Sequence, residues 1–240
     1  MEPVLQNTAS QNTASKPYDF RSSARNLRYI AVEGPIGVGK TTLTRRLSES
    51  LGATALLEDA ANNPFLEEFY HRPEKMALPA QLHFLMTRRD SMQRISREAD
   101  PEKKWVSDFL FAKDQLFASL TLDEKQYSLY SRIALELDFD LTLPDLVVYL
   151  QAPLDVLYDR IEHRGNSFEQ SIASSYLARL QRAYTDFFYS YSATPLLIVN
   201  ASEIDFARNE HDYGRLVEQI VGIEAGRHYF NPSPEAAPAA

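Results

Sequence analysis

Gly34-Pro35-Ile36-Gly37-Val38-Gly39-Lys40-Thr41-Thr42 gathers three glycines, a lysine and two threonines in one short stretch. Glycines let the chain turn tightly enough for successive backbone N–H groups to face one phosphate chain. Lys40 is a cation that reaches the outer phosphates, and the Thr41 hydroxyl is placed for Mg2+. A helix opening at Lys40 adds the partial positive charge of its N-terminus. The spacing G-x-x-x-x-G-K-[ST] is met in full. It specifies a nucleoside triphosphate bound with Mg2+, and leaves open what receives the phosphate.

Three other places carry groups suited to phosphoryl transfer. Glu58 ends an apolar run, and a carboxylate near the phosphate loop can take a proton from an acceptor hydroxyl. Asp59 beside it is a rival, and helix capping or salt bridging is the plainer role for either. Asp108 ends a second run, where it can join the Mg2+ shell or cap the next helix. Arg160 and Arg164 lie four apart, on one helix face, and Gly165 ends or bends that helix. Two arginines beside a flexible segment, 160–169, suit a lid that clamps phosphates. A solvated helix with Asp159 and Glu162 as partners is the alternative.

A scaffold must bring these residues together. Short apolar runs at 29–32, 55–58, 104–108, 146–150 and 196–199 read as strands. Helical patterns lie between or after them at about 40–51, 77–98, 110–138 (broken), 154–163, 171–190 and 213–224. Four of the five strands are near-continuously apolar, as strands covered on both faces are. The alternation predicts an α/β protein: a central parallel five-stranded sheet flanked by helices. The carboxyl ends of such strands face the ligand crevice, which puts Glu58 and Asp108 opposite the glycine loop. A polar N-terminal tail (1–25), in which Gln6-Asn-Thr-Ala-Ser10 is duplicated once, is expected to be disordered. A Pro/Ala-rich tail (229–240) is expected to be so too, leaving one domain over 26–228.

Composition excludes other classes. The chain has 240 residues, 44% of them hydrophobic, and a formal charge of −8. The apolar share rules out disorder for most of its length. No cysteine means no disulfide scaffold, thiolate metal site or thiol catalysis. No apolar run reaches the ~20 residues of a membrane helix. The N-terminus lacks a basic segment followed by an apolar one, so a cytoplasmic protein without a membrane partner is expected. The acidic balance argues against nucleic acid as a partner.

The loop 34–42, Glu58, the stretch Tyr70-His-Arg-Pro-Glu-Lys-Met-Ala-Leu-Pro-Ala-Gln81, Asp108 and the 160–169 segment occur in the order found in deoxynucleoside kinases. Over about residues 28–220 the chain resembles the bacterial deoxyadenosine/deoxyguanosine branch of that family. The resemblance implies a P-loop kinase fold with a lid, ATP as phosphate donor with Mg2+, and ATP-dependent 5′-phosphorylation of deoxynucleosides in nucleotide salvage. It implies Glu58 as general base, Tyr70 and Glu169 on the 3′-hydroxyl, and Gln81 reading the base edge through its amide. Lys40, Arg160 and Arg164 fall on the donor phosphates. Arg88 and Asp114 resemble the pair of members that take purines or deoxycytidine. A buried Arg needs a carboxylate partner, and the pair would meet a thymine methyl badly. A homodimer is implied as well, and the aromatic run Tyr184–Tyr191 could join core or interface.

Two departures stand out. Asp108-Phe109-Leu110 stands where the family has Glu-Arg-Ser, so a cation is lost; Lys113, four residues on from Phe109, is the candidate to replace it. Phe117 is near the family's base-stacking position, but Ala118 occupies it in an ungapped reading. Two rival readings remain. A nucleoside monophosphate kinase of thymidylate-kinase type would need a cationic site for its acceptor's phosphate, recruited from Arg72, Arg88 and Arg89. A non-catalytic P-loop regulator of GTPase type would carry an Asn-Lys-x-Asp stretch, which is absent.

Overall fold

Tyr29–Glu33 (β1) is buried at every position, so it must be covered on both faces. The computed structural model describes residues 20–24, 26–137, 141–166 and 169–232. After β1 come α1 (Lys40–Leu51), β2 (Thr54–Leu56), α2 (Leu66–His71), α3 (Pro73–Ser96) and β3 (Trp105–Ser107). Then follow α4 (Lys113–Thr121), α5 (Glu124–Glu136), β4 (Leu146–Gln151), α6 (Leu154–Arg164), α7 (Ser174–Ser190), β5 (Leu196–Asn200), α8 (Glu210–Val221) and β6 (Arg227–Phe230). The strands form one sheet in the order β2-β3-β1-β4-β5-β6, with every pairing parallel.

Among the described residues the sheet has six strands, not the predicted five. β6 is half exposed and begins with Arg227 and His228, so no apolar run marks it; it forms because β5 offers an open edge. It runs to Phe230, past the expected end of the folded part at 228. The expected tails otherwise lie mostly outside the described residues. Within the first, Phe20 packs on the core and Ala24 is buried.

β2 stops at Leu56 and β3 at Ser107, so Glu58 and Asp108 head the following loops rather than closing the strands. α3 starts earlier than the predicted 77, because Pro73 takes the first helical position, where its missing N–H costs nothing. α2 has no counterpart among the predicted helices. The break expected within 110–138 falls before Asp123, whose side chain and Gln126 form a capping box for α5. The helix after β3 begins only at Lys113, so Phe109 and Lys113 do not share a helical face as expected. In the aromatic run, Tyr184 and Phe188 are core residues stacked on Tyr149, and Tyr189 faces solvent. Among the described residues no helix is long and apolar enough to cross a membrane.

β1 opens directly into the glycine loop, and there backbone space decides the sequence. Gly34 has φ +151°, and an added Cβ would lie 2.4 Å from the Leu150 carbonyl oxygen on the neighbouring strand. Gly34→Ala is expected to destabilise the fold by on the order of 1–3 kcal/mol, read as a lower melting temperature; an unchanged melt would contradict this packing.

Candidate active site

Asp108 joins three elements at the carboxyl end of the sheet. One carboxylate oxygen accepts the Thr41 hydroxyl at 2.7 Å, and the other accepts the Glu58 backbone N–H at 2.6 Å. The glycine loop, the segment after β2 and the segment after β3 are thereby held edge to edge. Lys40 Nζ donates to the Gly34 carbonyl at 2.8 Å and lies 3.3 Å from that of Pro35, folded back over its own loop.

Arg88, on α3, is buried between two carboxylates. Its Nε and Nη2 reach Glu58 Oε1 at 2.7 and 2.6 Å, and Nη1 bonds Asp114 on α4. Lys113 is also buried. Its ammonium lies 3.5 Å from Glu58 Oε2 and 3.4 Å from Glu33 Oε2. Glu33, the last residue of β1, accepts from Gly34 N–H, Leu110 N–H and the Tyr184 hydroxyl.

These groups floor a cleft at the carboxyl end of the sheet. Lys40, Thr41, Glu58, Tyr70, Gln81, Arg88, Asp108, Arg164 and Glu169 all line it, as do Lys113, Phe84, Phe117 and Tyr176. Sequence-predicted residues far apart in the chain therefore converge. Asp114 lies behind Arg88 rather than on the wall. Arg160 faces an adjoining cleft beside the loop, donating to the Val38 and Ala201 carbonyls. Thr42 lines that adjoining cleft too. Arg164 pairs with Glu169 at 3.0 Å, and Asn166 reaches the same carboxylate; Ser167 and Phe168 of the expected lid lie outside the described residues.

Gln81 is held by a hydroxyl with one proton to give. Thr121 donates to the Phe117 carbonyl at 2.7 Å, so it accepts from Gln81 Nε2 at 3.3 Å. That orients the amide, and Gln81 Oε1 is left buried without a partner. Burial lifts the Tyr70 hydroxyl well above its ordinary value, with Tyr176 and Glu169 adding to the effect, so it stays a neutral donor.

Burial raises the Glu58 carboxyl, but Arg88, Lys113 and Lys40 outweigh it and hold the group at about 2. Burial lowers the Lys40 ammonium, with Lys113 pushing the same way. Burial raises Asp108 despite its Thr41 bond. Glu33, Thr121 and Tyr176 were not singled out in the sequence. A glutamate ending an otherwise apolar strand just before a glycine loop is the signal that could have found the first; Thr121 and Tyr176 carry none.

A polyphosphate loop, a carboxylate beside it and a neutral amide across one cleft, on an all-parallel sheet, define a P-loop phosphotransferase. The deoxynucleoside kinase family model matches residues 30–223, and the chain belongs to that family. Deoxyguanosine kinase of Bacillus subtilis is 32% identical over 80% of this chain and 95% of its own. Deoxyadenosine/deoxycytidine kinase of the same organism is 29% identical over 81% and 92%. A deoxyadenosine kinase structure from M. mycoides, with dCMP and dCDP bound, superposes with a TM-score of 0.71 at 22% identity, covering 81% of this chain and all of that one. The protein is a deoxynucleoside kinase.

The ionised Glu58–Arg88 pair gives a pH signature. Glu58 sits below its ordinary value in the folded state, so its contribution is full above about pH 4.5 and is lost as pH falls toward 2. Arg88→Met is expected to cost about 3–5 kcal/mol near neutral pH by leaving the buried Asp114 without its cation and Glu58 with Lys113 alone. The cost should shrink toward pH 4 as the two carboxylates take up protons. Chemical unfolding at the two pH values checks this; a cost independent of pH would contradict it.

Proposed function

We propose that the protein transfers the γ-phosphoryl group of ATP to the 5′-hydroxyl of purine deoxynucleosides, with deoxycytidine as a lesser substrate, in cytoplasmic nucleotide salvage. The observation that carries it is the state of the cations behind the loop. Arg88 and Lys113 are already paired with Glu58, Asp114 and Glu33, and the reader at the far wall is the neutral Gln81. That suits an uncharged acceptor.

In this reading the backbone of Gly34–Thr42 and the Lys40 ammonium cradle the donor phosphates, with Arg160 and Arg164 closing on them from the lid side. Thr41 and Asp108 offer the hard oxygen ligands that suit Mg2+, which characteristically takes one or two carboxylates and completes its shell with phosphate and water. When bound there, Mg2+ neutralises charge on the β- and γ-phosphates. Glu58 orients the 5′-hydroxyl through Oε2, the oxygen Arg88 leaves open, and receives its proton. So acidic a carboxylate is a weak base. It serves because a loose, in-line transfer asks chiefly for positioning, with no covalent intermediate. Tyr70 and Glu169 hold the 3′-hydroxyl. Gln81 Oε1 awaits a donor, which the exocyclic amines of adenine and cytosine and the ring N–H of guanine supply. Phe84, Phe117 and Tyr176 wall the base.

The monophosphate-kinase alternative lacks its cation: of Arg72, Arg88 and Arg89 only Arg88 lines the cleft, and it is engaged. Phosphorylation assays with Mg-ATP against the four deoxynucleosides and their monophosphates test the reading. Product is expected from deoxyadenosine or deoxyguanosine ahead of thymidine. Glu58→Gln should lower kcat by on the order of 10²–10⁴. Product from monophosphates alone would overturn it.

A homodimer belongs to the same proposal. Met86 on α3 and Leu129 and Leu135 on α5 expose apolar surface on neighbouring helices. Light scattering should give twice the 27.3 kDa chain mass, and a monomer at micromolar concentration would remove this part.

A further inference from the structure

We propose that Lys113 is a positioning residue for phosphoryl transfer: it holds the second carboxylate oxygen of Glu58 and so fixes the plane of that carboxylate against the acceptor hydroxyl. The proposal rests on the role given to Glu58 above.

The two oxygens of Glu58 are divided between two helices. Oε1 takes both contacts from Arg88 on α3, and Oε2 faces the Lys113 ammonium on α4 at 3.5 Å. The terminal torsion of a glutamate is broad and nearly two-fold, so a carboxylate anchored at one oxygen swings about that anchor. A second cation on the other oxygen removes that freedom. Lys113 is itself held in place. Its backbone N–H bonds the Leu110 carbonyl as α4 starts, and its Nζ lies 5.5 Å from the Phe117 ring centre. At 1% exposure it is among the most buried lysines a protein tolerates, yet it lines the cleft.

Glu33 is the other partner, and its hydrogen bonds are already met without Lys113. Oε1 accepts from Gly34 N–H and the Tyr184 hydroxyl, and Oε2 from Leu110 N–H at 2.7 Å. The ammonium lies 3.5 and 3.4 Å from the two oxygens of Glu33 and 3.5 Å from Glu58 Oε2, so it bridges the two acids. It therefore links the strand end before the glycine loop to the carboxylate that faces the acceptor.

The test is a double-mutant cycle in steady-state kinetics with deoxyadenosine and Mg-ATP. Wild-type turnover, read first, tests the underlying activity separately. Lys113→Met is expected to lower kcat on the order of 10- to 100-fold while the nucleoside KM moves less than about threefold, and Lys113→Arg to recover most of the loss. The deciding arm repeats Lys113→Met in a Glu33→Gln background. If Lys113 acts through Glu58, the same loss persists there; if it only neutralises Glu33, the loss disappears and the proposal falls. A Lys113→Met enzyme with wild-type kcat overturns it as well. Should that single variant fail to fold, the double variant, which buries no uncompensated acid at position 33, is compared with Glu33→Gln alone and decides between the two roles.

Discussion

Arg88 lies in the protein interior between Glu58 and Asp114, and the active end of the sheet is organised around that ion triad. A buried guanidinium costs several kcal/mol unless its charge and hydrogen bonds are met in good geometry. Here the three residues of the triad come from three separate elements: α3, α4 and the segment after β2. Satisfying one cation therefore fixes the relative position of all three. Asp108 extends the constraint by tying the Glu58 backbone to Thr41, so the phosphate loop and the acceptor cleft share one polar framework. Its two buried cations, Arg88 and Lys113, are both committed to carboxylates.

The glycine loop was legible because its conformation admits few residue types. At Gly34 a side chain would meet a neighbouring strand's carbonyl, so the sequence carries the constraint openly. The apolar strands were legible for a similar reason: β1, β4 and β5 are covered on both faces and cannot hide their composition. The convergence of Tyr70, Gln81 and Glu169 was readable only through family resemblance, since nothing in their local spacing sets the distance between α2, α3 and the lid. Thr121 escaped because its role arises from tertiary neighbours. A threonine that spends its proton on Phe117 and thereby turns a glutamine amide leaves no local pattern. β6 was missed because an edge strand needs only a pairing partner, not an apolar face.

The arginines of α6 are held in place by neighbouring backbone and side chains. Arg160 grips the Val38 carbonyl inside the loop and the Ala201 carbonyl after β5. Arg164 is held by Glu169 across the Gly165 turn. Both side chains give up part of their rotamer entropy to these contacts.

The sheet also ends in a way that bears on how the protein behaves in a crowded solution. An open parallel sheet has two rows of unpaired backbone groups, and each is an invitation to a strand from another chain. One border here, β2, is three residues long, and the other, β6, is four residues long and carries Arg227 and His228, with Pro232 close behind. Strands so short, one of them charged and soon followed by a residue without an N–H, offer too few consecutive hydrogen bonds to template a cross-chain ribbon.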